Sequence, residues 1–98
     1  MHRLKGKVAL ITGGGSGIGA ATGELVCAEG GMAMLVDASP DALASTTKAI
    51  VEQVPSARVT TFVADVADGR EAARAVARAL GEFGQLDILV IQSTREPL

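Results

Sequence analysis

Short apolar runs alternate along this chain with longer stretches in which apolar residues recur at helical spacing. Lys7–Thr12 is almost continuously apolar, as a strand buried on both faces must be. After a cluster of glycines, Ile18–Glu29 carries Ile18, Ala21, Leu25 and Ala28 at the spacing of one helical face, and Gly30-Gly31 ends it. Met32–Val36 reads as a second buried strand closing at Asp37. Ser39-Pro40-Asp41 then opens a helix: a hydroxyl to cap it, a proline in the first turn, an acid against the positive end. That helix should run to Gln53, ahead of Pro55.

Arg58–Ala64 alternates and is rich in β-branched residues, which predicts a third strand ending at Asp65-Val66. Asp68 and Glu71 have the spacing of a capping box, with Asp in place of Ser or Thr. The third helix then runs to Phe83 and stops at Gly84. Asp87–Ile91 is a fourth strand, and Gln92–Leu98 a polar tail. The order is βαβαβαβ. Right-handed crossovers make it a parallel sheet in strand order 3-2-1-4, with the first two helices on one face and the third on the other. The expected fold class is therefore α/β, Rossmann-like, in a single domain spanning residues 1–98.

Composition narrows the picture. Of 98 residues, 48% are hydrophobic and only 2% aromatic, so the core must come from Ala, Val, Leu and Ile. A net charge of −2 without a basic block argues against nucleic acid or an anionic membrane as partner. The single cysteine excludes a disulfide within the chain and fits a reducing compartment. Val8–Ile11 is too short for the roughly 7–15-residue apolar region of a signal peptide. No stretch approaches the ~18 apolar residues of a membrane span. A soluble, cytoplasmic protein is expected.

The candidate chemistry lies in Thr12-Gly13-Gly14-Gly15-Ser16-Gly17-Ile18-Gly19-Ala20, between a strand and a helix. Glycines permit a tight turn and let backbone approach a pyrophosphate, while the helix that follows offers unpaired N–H groups to its charge. Gly15-x-Gly17-x-x-Ala20 matches the dinucleotide fingerprint, and Asp37, at the end of the second strand, stands where an acid can bond a ribose 2′-OH. A P-loop is excluded: Gly14 and Gly19 have its spacing, but Ala20 and Ala21 replace its Lys and Ser/Thr.

These segments resemble the short-chain dehydrogenase/reductase family. Leu4–Gly13 is similar to the family's opening strand, Thr12-Gly13-x-x-x-Gly17-Ile18-Gly19 to its cofactor motif, and Gly84–Val90 to its approach to strand four. The resemblance runs from Leu4 to Val90 and implies a nicotinamide dinucleotide as cofactor. It implies that Asp65 and Val66 contact the adenine ring through a carboxylate and a backbone N–H. It also implies NAD in preference to NADP, because the turn holds no basic residue and Asp37, followed by Ala38 and Ser39, would repel a 2′-phosphate.

After Val90 the family continues Asn-Asn-Ala-Gly, and its catalytic serine and Tyr-x-x-x-Lys pair follow well beyond. This sequence reads Ile91–Leu98 and contains no tyrosine, so no catalytic residue can be carried over. His2 reads as a tail residue and Cys27 as a small packing residue; no cluster has metal-ligand spacing. Asp41, Asp68 and Glu71 read as helix-start residues, Lys5 and Lys7 as solvated strand ends. The leading expectation is the cofactor-binding half of such an oxidoreductase, incomplete relative to the family fold through a frameshift, an alternative end or an artificial boundary. Two alternatives stand beside it: a non-catalytic NAD-binding module, and a fragment that pairs with another chain through strand four. The apolar Ile88–Ile91 would form an exposed sheet edge open to self-association. Gly23, within the first helix, should cost roughly 1 kcal/mol relative to Ala unless close packing requires it.

Overall fold

The computed structural model describes residues 3–15 and 17–91; Met1, His2, Ser16 and the tail 92–98 lie outside them. Seven elements follow in order: β1 (Val8–Thr12), α1 (Gly17–Ala28), β2 (Met32–Asp37), α2 (Pro40–Gln53), β3 (Arg58–Val63), α3 (Gly69–Phe83) and β4 (Ile88–Val90). They form one parallel sheet in the order β3-β2-β1-β4. This is the expected topology.

The apolar runs are continuous because both sheet faces are covered. Residues alternate between two clusters. Ala9, Ile11, Ala33 and Leu35 pack with Val26 and Cys27 of α1 and Leu43 and Ile50 of α2. Leu10, Met34 and Val36 face the other way, against Ala75 and Ala79 of α3. Each fully buried Leu, Ile, Val or Met stabilises by roughly 1.5–3 kcal/mol, so the two central strands are the molecule's main stabilising element. The edge strand β3 is only half-buried.

Local signals set most boundaries. Ser39 Oγ accepts the Ala42 N–H at 3.1 Å, with Pro40 beginning α2. Gly84, at φ 75°, closes α3. Gly30, at φ 89°, follows α1, and the Gly31 N–H donates to the Val26 carbonyl. Strand ends are trimmed by one residue at Lys7 and Ala64, and β4 is shorter than Asp87–Ile91 at both ends. At Asp87 the reason is visible: its N–H donates to the Val8 carbonyl at 2.9 Å, and its Oδ2 accepts the Val8 N–H at 2.9 Å. Gln85 Nε2 donates both to Asp87 Oδ2 and to the Gly6 carbonyl, so Asp87 is a clasp between the starts of β1 and β4.

One sequence expectation is overturned. The buried stripe of α1 is Gly19, Gly23, Val26 and Cys27, while Ile18 and Leu25 are 74% and 60% exposed. The larger side chains lie outward because α1 sits too close to the sheet for them. A Cβ on Gly23 would come within 2.8 Å of Leu35 Cδ2 and 3.4 Å of Ile50 Cδ1. Close packing therefore does require glycine there. The capping box is also altered. Asp68 caps α3 by accepting the Arg70 N–H at 2.9 Å, but Glu71 does not reach back to Asp68; its Oε1 accepts the Asp65 N–H instead.

The two helix-interior glycines should respond oppositely to the same substitution. Gly81 of α3 has open space at its Cβ position, so Gly81→Ala should raise stability by up to about 1 kcal/mol. Gly23→Ala should lower it by about 1 kcal/mol, since overpacking a filled core outweighs the gain in helix propensity. Urea unfolding of the two variants measures both signs; stabilisation by Gly23→Ala would contradict the packing.

The hydrogen bond from the Val8 N–H, with that from Gln85, holds the Asp87 carboxyl below its ordinary value. A depressed folded-state pKa contributes stability above the ordinary carboxylate range near pH 4, lost as pH falls through the lowered value. Asp87→Asn should therefore lower the urea midpoint at neutral pH and flatten its decline below pH 4. An acid limb identical to that of the unsubstituted chain would rule out the clasp's contribution.

Candidate dinucleotide site

In a parallel sheet every strand delivers its last residue to the same edge. Here that edge collects the turn after β1, Asp37 at the end of β2, and Asp65-Val66 after β3. Gly13 and Gly17 take positive φ, 67° and 59°, at the two ends of the turn. At Gly14 the backbone lies down on β2. The Gly14 N–H donates to the Val36 carbonyl at 3.0 Å, and a Cβ on Gly14 would stand 2.7 Å from Leu35 Cβ.

Gly15 is held from both sides. Its N–H donates to Asp37 Oδ2 at 3.0 Å, and its carbonyl accepts the Thr46 hydroxyl at 2.8 Å. Thr46 is buried under the turn from α2. A Cβ on Gly15 would meet Ala42 Cβ at 2.7 Å and Asp37 Oδ2 at 2.8 Å. Asp37 is oriented in turn by the Ser39 N–H, which donates to its Oδ1 at 3.1 Å. The half-buried carboxylate therefore stands beside the glycine backbone, at the end of β2. Thr12 is buried beneath the turn, its hydroxyl 3.4 Å from the Val90 carbonyl, which ties β1 to β4.

The start of α1 differs from the other two helix starts. Asp41 and Glu71 neutralise the first turns of α2 and α3, whereas the first turn of α1, at Gly17, Ile18 and Gly19, carries no acid. An unneutralised N-terminus beside backbone that a side chain would block suits a phosphate anion.

Asp65 and Val66 lie across the sheet edge from the turn. Val66 shares with Thr12, Leu10, Val76 and Leu89 an almost wholly apolar cleft of about 230 Å³. Asp65 is exposed, and its Oδ1 accepts the Ala67 N–H at 3.0 Å. Ser16 alone of the sequence-derived site residues lies outside the described residues. Sequence reasoning missed Thr46 altogether and took Glu71 only as a helix-start residue. A threonine in a helix interior gives no local hint of a partner 31 residues away.

Cys27 stands apart from this edge. It is buried between α1 and the sheet, its Sγ 3.9 Å from the Arg58 carbonyl, and burial pushes its thiol pKa up. It packs, and it is held as a neutral thiol. Among the described residues no group of three or more His, Cys, Asp or Glu could hold a metal ion.

Comparison with known proteins bears on the family and the fold. Levodione reductase of Leifsonia aquatica is 42% identical over 85 residues, which cover 87% of this chain and 32% of that protein. A mutant short-chain dehydrogenase/reductase of Serratia marcescens superposes with a TM-score of 0.90 at 36% identity, covering 99% of this chain and 39% of the other. Carveol dehydrogenase from Mycobacterium avium, solved in complex with NAD, gives 0.83 at 28% identity, covering 95% and 37%. The chain thus spans about a third of the length of the relatives it matches. The model of the short chain dehydrogenase family matches residues 7–96, and the chain belongs to that family.

Proposed function

We propose that this chain is the NAD-binding portion of an oxidoreductase that moves hydride between a nicotinamide cofactor and an alcohol or carbonyl substrate. The observation that carries the reading is the placement of the Asp37 carboxylate against the Gly15 amide, at the end of β2. The glycine turn, Thr12 to Gly19 with Ser16 included, holds the pyrophosphate at the unneutralised start of α1. Ile18, exposed there, offers an apolar contact to the bound cofactor. Asp37 accepts from the adenosine ribose hydroxyl, and Asp65 and Val66 meet the adenine. When bound, the nicotinamide supplies the hydride acceptor or donor.

The preference for NAD rests on Asp37. A carboxylate accepts from a 2′-OH and repels a 2′-phosphate, and neither Ala38 nor Ser39 offers a compensating cation. A cytoplasmic location belongs to the same reading, supported by the free thiol of Cys27. No helix among the described residues is long and apolar enough to cross a membrane.

Thermal unfolding with NAD and with NADP tests the proposal. At 100 times its dissociation constant a ligand stabilises a folded binder by about 2.7 kcal/mol, a shift of several degrees for a domain of this size. NAD should shift the transition more than NADP, and Asp37→Ala should narrow that gap when each variant is compared with its own ligand-free transition. Equal shifts, or none, would refute the proposal.

The open edge of β4 supports a second element, self-association. Leu89 and, just beyond the strand, Ile91 are 51% and 71% exposed there, and among the described residues β4 pairs with β1 alone. Sedimentation velocity over a concentration series should show the chain associating as concentration rises, and a monomer throughout would exclude it.

A further inference from the structure

Glu71 occupies the first turn of α3, but its hydrogen-bond partner is unusual for that position. An acid three residues after an N-cap ordinarily returns to the N-cap's own N–H. In this chain the Asp68 N–H is already given to the Asp65 carbonyl at 3.0 Å. Glu71 Oε1 accepts instead from the Asp65 N–H at 2.7 Å, six residues back. The Ala67 N–H donates to Asp65 Oδ1 at 3.0 Å. Asp65 is therefore engaged through its N–H, its carbonyl and one carboxylate oxygen. Among the described residues its Oδ2 has no partner, and the side chain is exposed. A short loop residue fixed at three points, with one acceptor left unengaged, is a preorganised acceptor.

We propose that Glu71 is a positioning residue that sets the base selectivity of the cofactor site. By holding the Asp65 N–H, it fixes the backbone from which the Asp65 carboxylate, itself oriented by the Ala67 N–H, projects, and so favours a purine with a 6-amino group over one with a 6-oxo group. The inference rests on the reading of Asp65 and Val66 as adenine contacts, and it deepens that reading. The chemistry is directional: an ionised carboxylate only accepts, a 6-amino group donates, and a 6-oxo group presents lone pairs. A site built to receive an N–H discriminates against the analogue that lacks it. The carboxylate discriminates only while the loop that carries it is held, because a loop free to shift could take Asp65 away from an oxo group at little cost. A role confined to neutralising the start of α3 would instead weaken both ligands equally.

The test compares calorimetric affinities of the 98-residue chain for NAD and for nicotinamide hypoxanthine dinucleotide, its 6-oxo counterpart. The unsubstituted chain should prefer NAD by about tenfold or more, the ratio expected of one charge-assisted hydrogen bond. Asp65→Ala should lower the ratio by about tenfold, leaving what the Val66 N–H contributes, since that N–H would meet a ring N–H in the 6-oxo base. Glu71→Ala should lower it by about threefold or more, while Glu71→Gln, whose Oε1 still accepts, should retain it. Full preference in Glu71→Ala together with its loss in Asp65→Ala would overturn the inference and leave the adenine reading standing. Preference unaffected by Asp65→Ala, or no binding of either dinucleotide, would remove the adenine reading and the inference with it. A ligand-free readout is independent of both outcomes. The Asp65 amide should exchange slowly in the unsubstituted chain and in Glu71→Gln, and faster in Glu71→Ala. Unchanged protection in Glu71→Ala would also overturn the proposal.

Discussion

The two hydrogen bonds on Gly15, from its N–H to Asp37 and to its carbonyl from Thr46, join three elements at one residue. They attach the turn after β1 to the end of β2 and to the interior of α2. The bonds can form only where the turn lies flat on its neighbours, and the Gly14 and Gly15 approaches leave no room for a Cβ. The same closeness continues into α1, whose glycine-lined face rests on Leu35 and Ile50. Much of the molecule's shape at the candidate site follows from this contact. The start of α1 follows directly on backbone pinned at Gly15, and Asp37 is aimed by the peptide group it holds.

Much of this was legible in the sequence, for reasons tied to particular residues. The near-continuous apolar runs at Lys7–Thr12 and Met32–Val36 read as strands covered on both sides, and the alternation with helical segments left one economical strand order. Ser39, Pro40 and Gly84 mark helix ends through backbone chemistry that acts within a few residues. The glycine turn was readable because a mere connection does not need so many glycines. The face of α1 was misread because periodicity weighted by side-chain size selects Ile18 and Leu25. The real stripe, Gly19, Gly23, Val26 and Cys27, is equally periodic but is selected by closeness to the sheet. Thr46 and the Glu71–Asp65 bond were not legible at all, since each depends on where a separate element comes to rest.

The two faces of the sheet are unequal, and this bears on how the site is supported. The α1–α2 face buries Val26, Cys27, Leu43 and Ile50 against the strands, whereas α3 buries only Ala75 and Ala79. Much of what remains on the α3 side is half-buried, including Phe62, over which the Arg78 guanidinium lies 5.6 Å from the ring centroid. The glycine turn and Asp37 therefore sit against the firmer layer. Asp65 and Val66 sit at the looser one, beside the apolar cleft, where a residue such as Glu71 has more ordering left to do.

The most direct measurement of the central claim is a two-dimensional amide NMR titration of the 98-residue chain with NAD. The account predicts that the largest shifts fall on the amides of Gly13, Gly14, Gly15, Gly17 and Gly19, on Asp37, and on Asp65 and Val66. The amides at the opposite sheet edge, around Val8 and Asp87, should stay in place. Perturbations centred elsewhere, or a spectrum that does not respond to NAD, would contradict the assignment of this edge as a dinucleotide site.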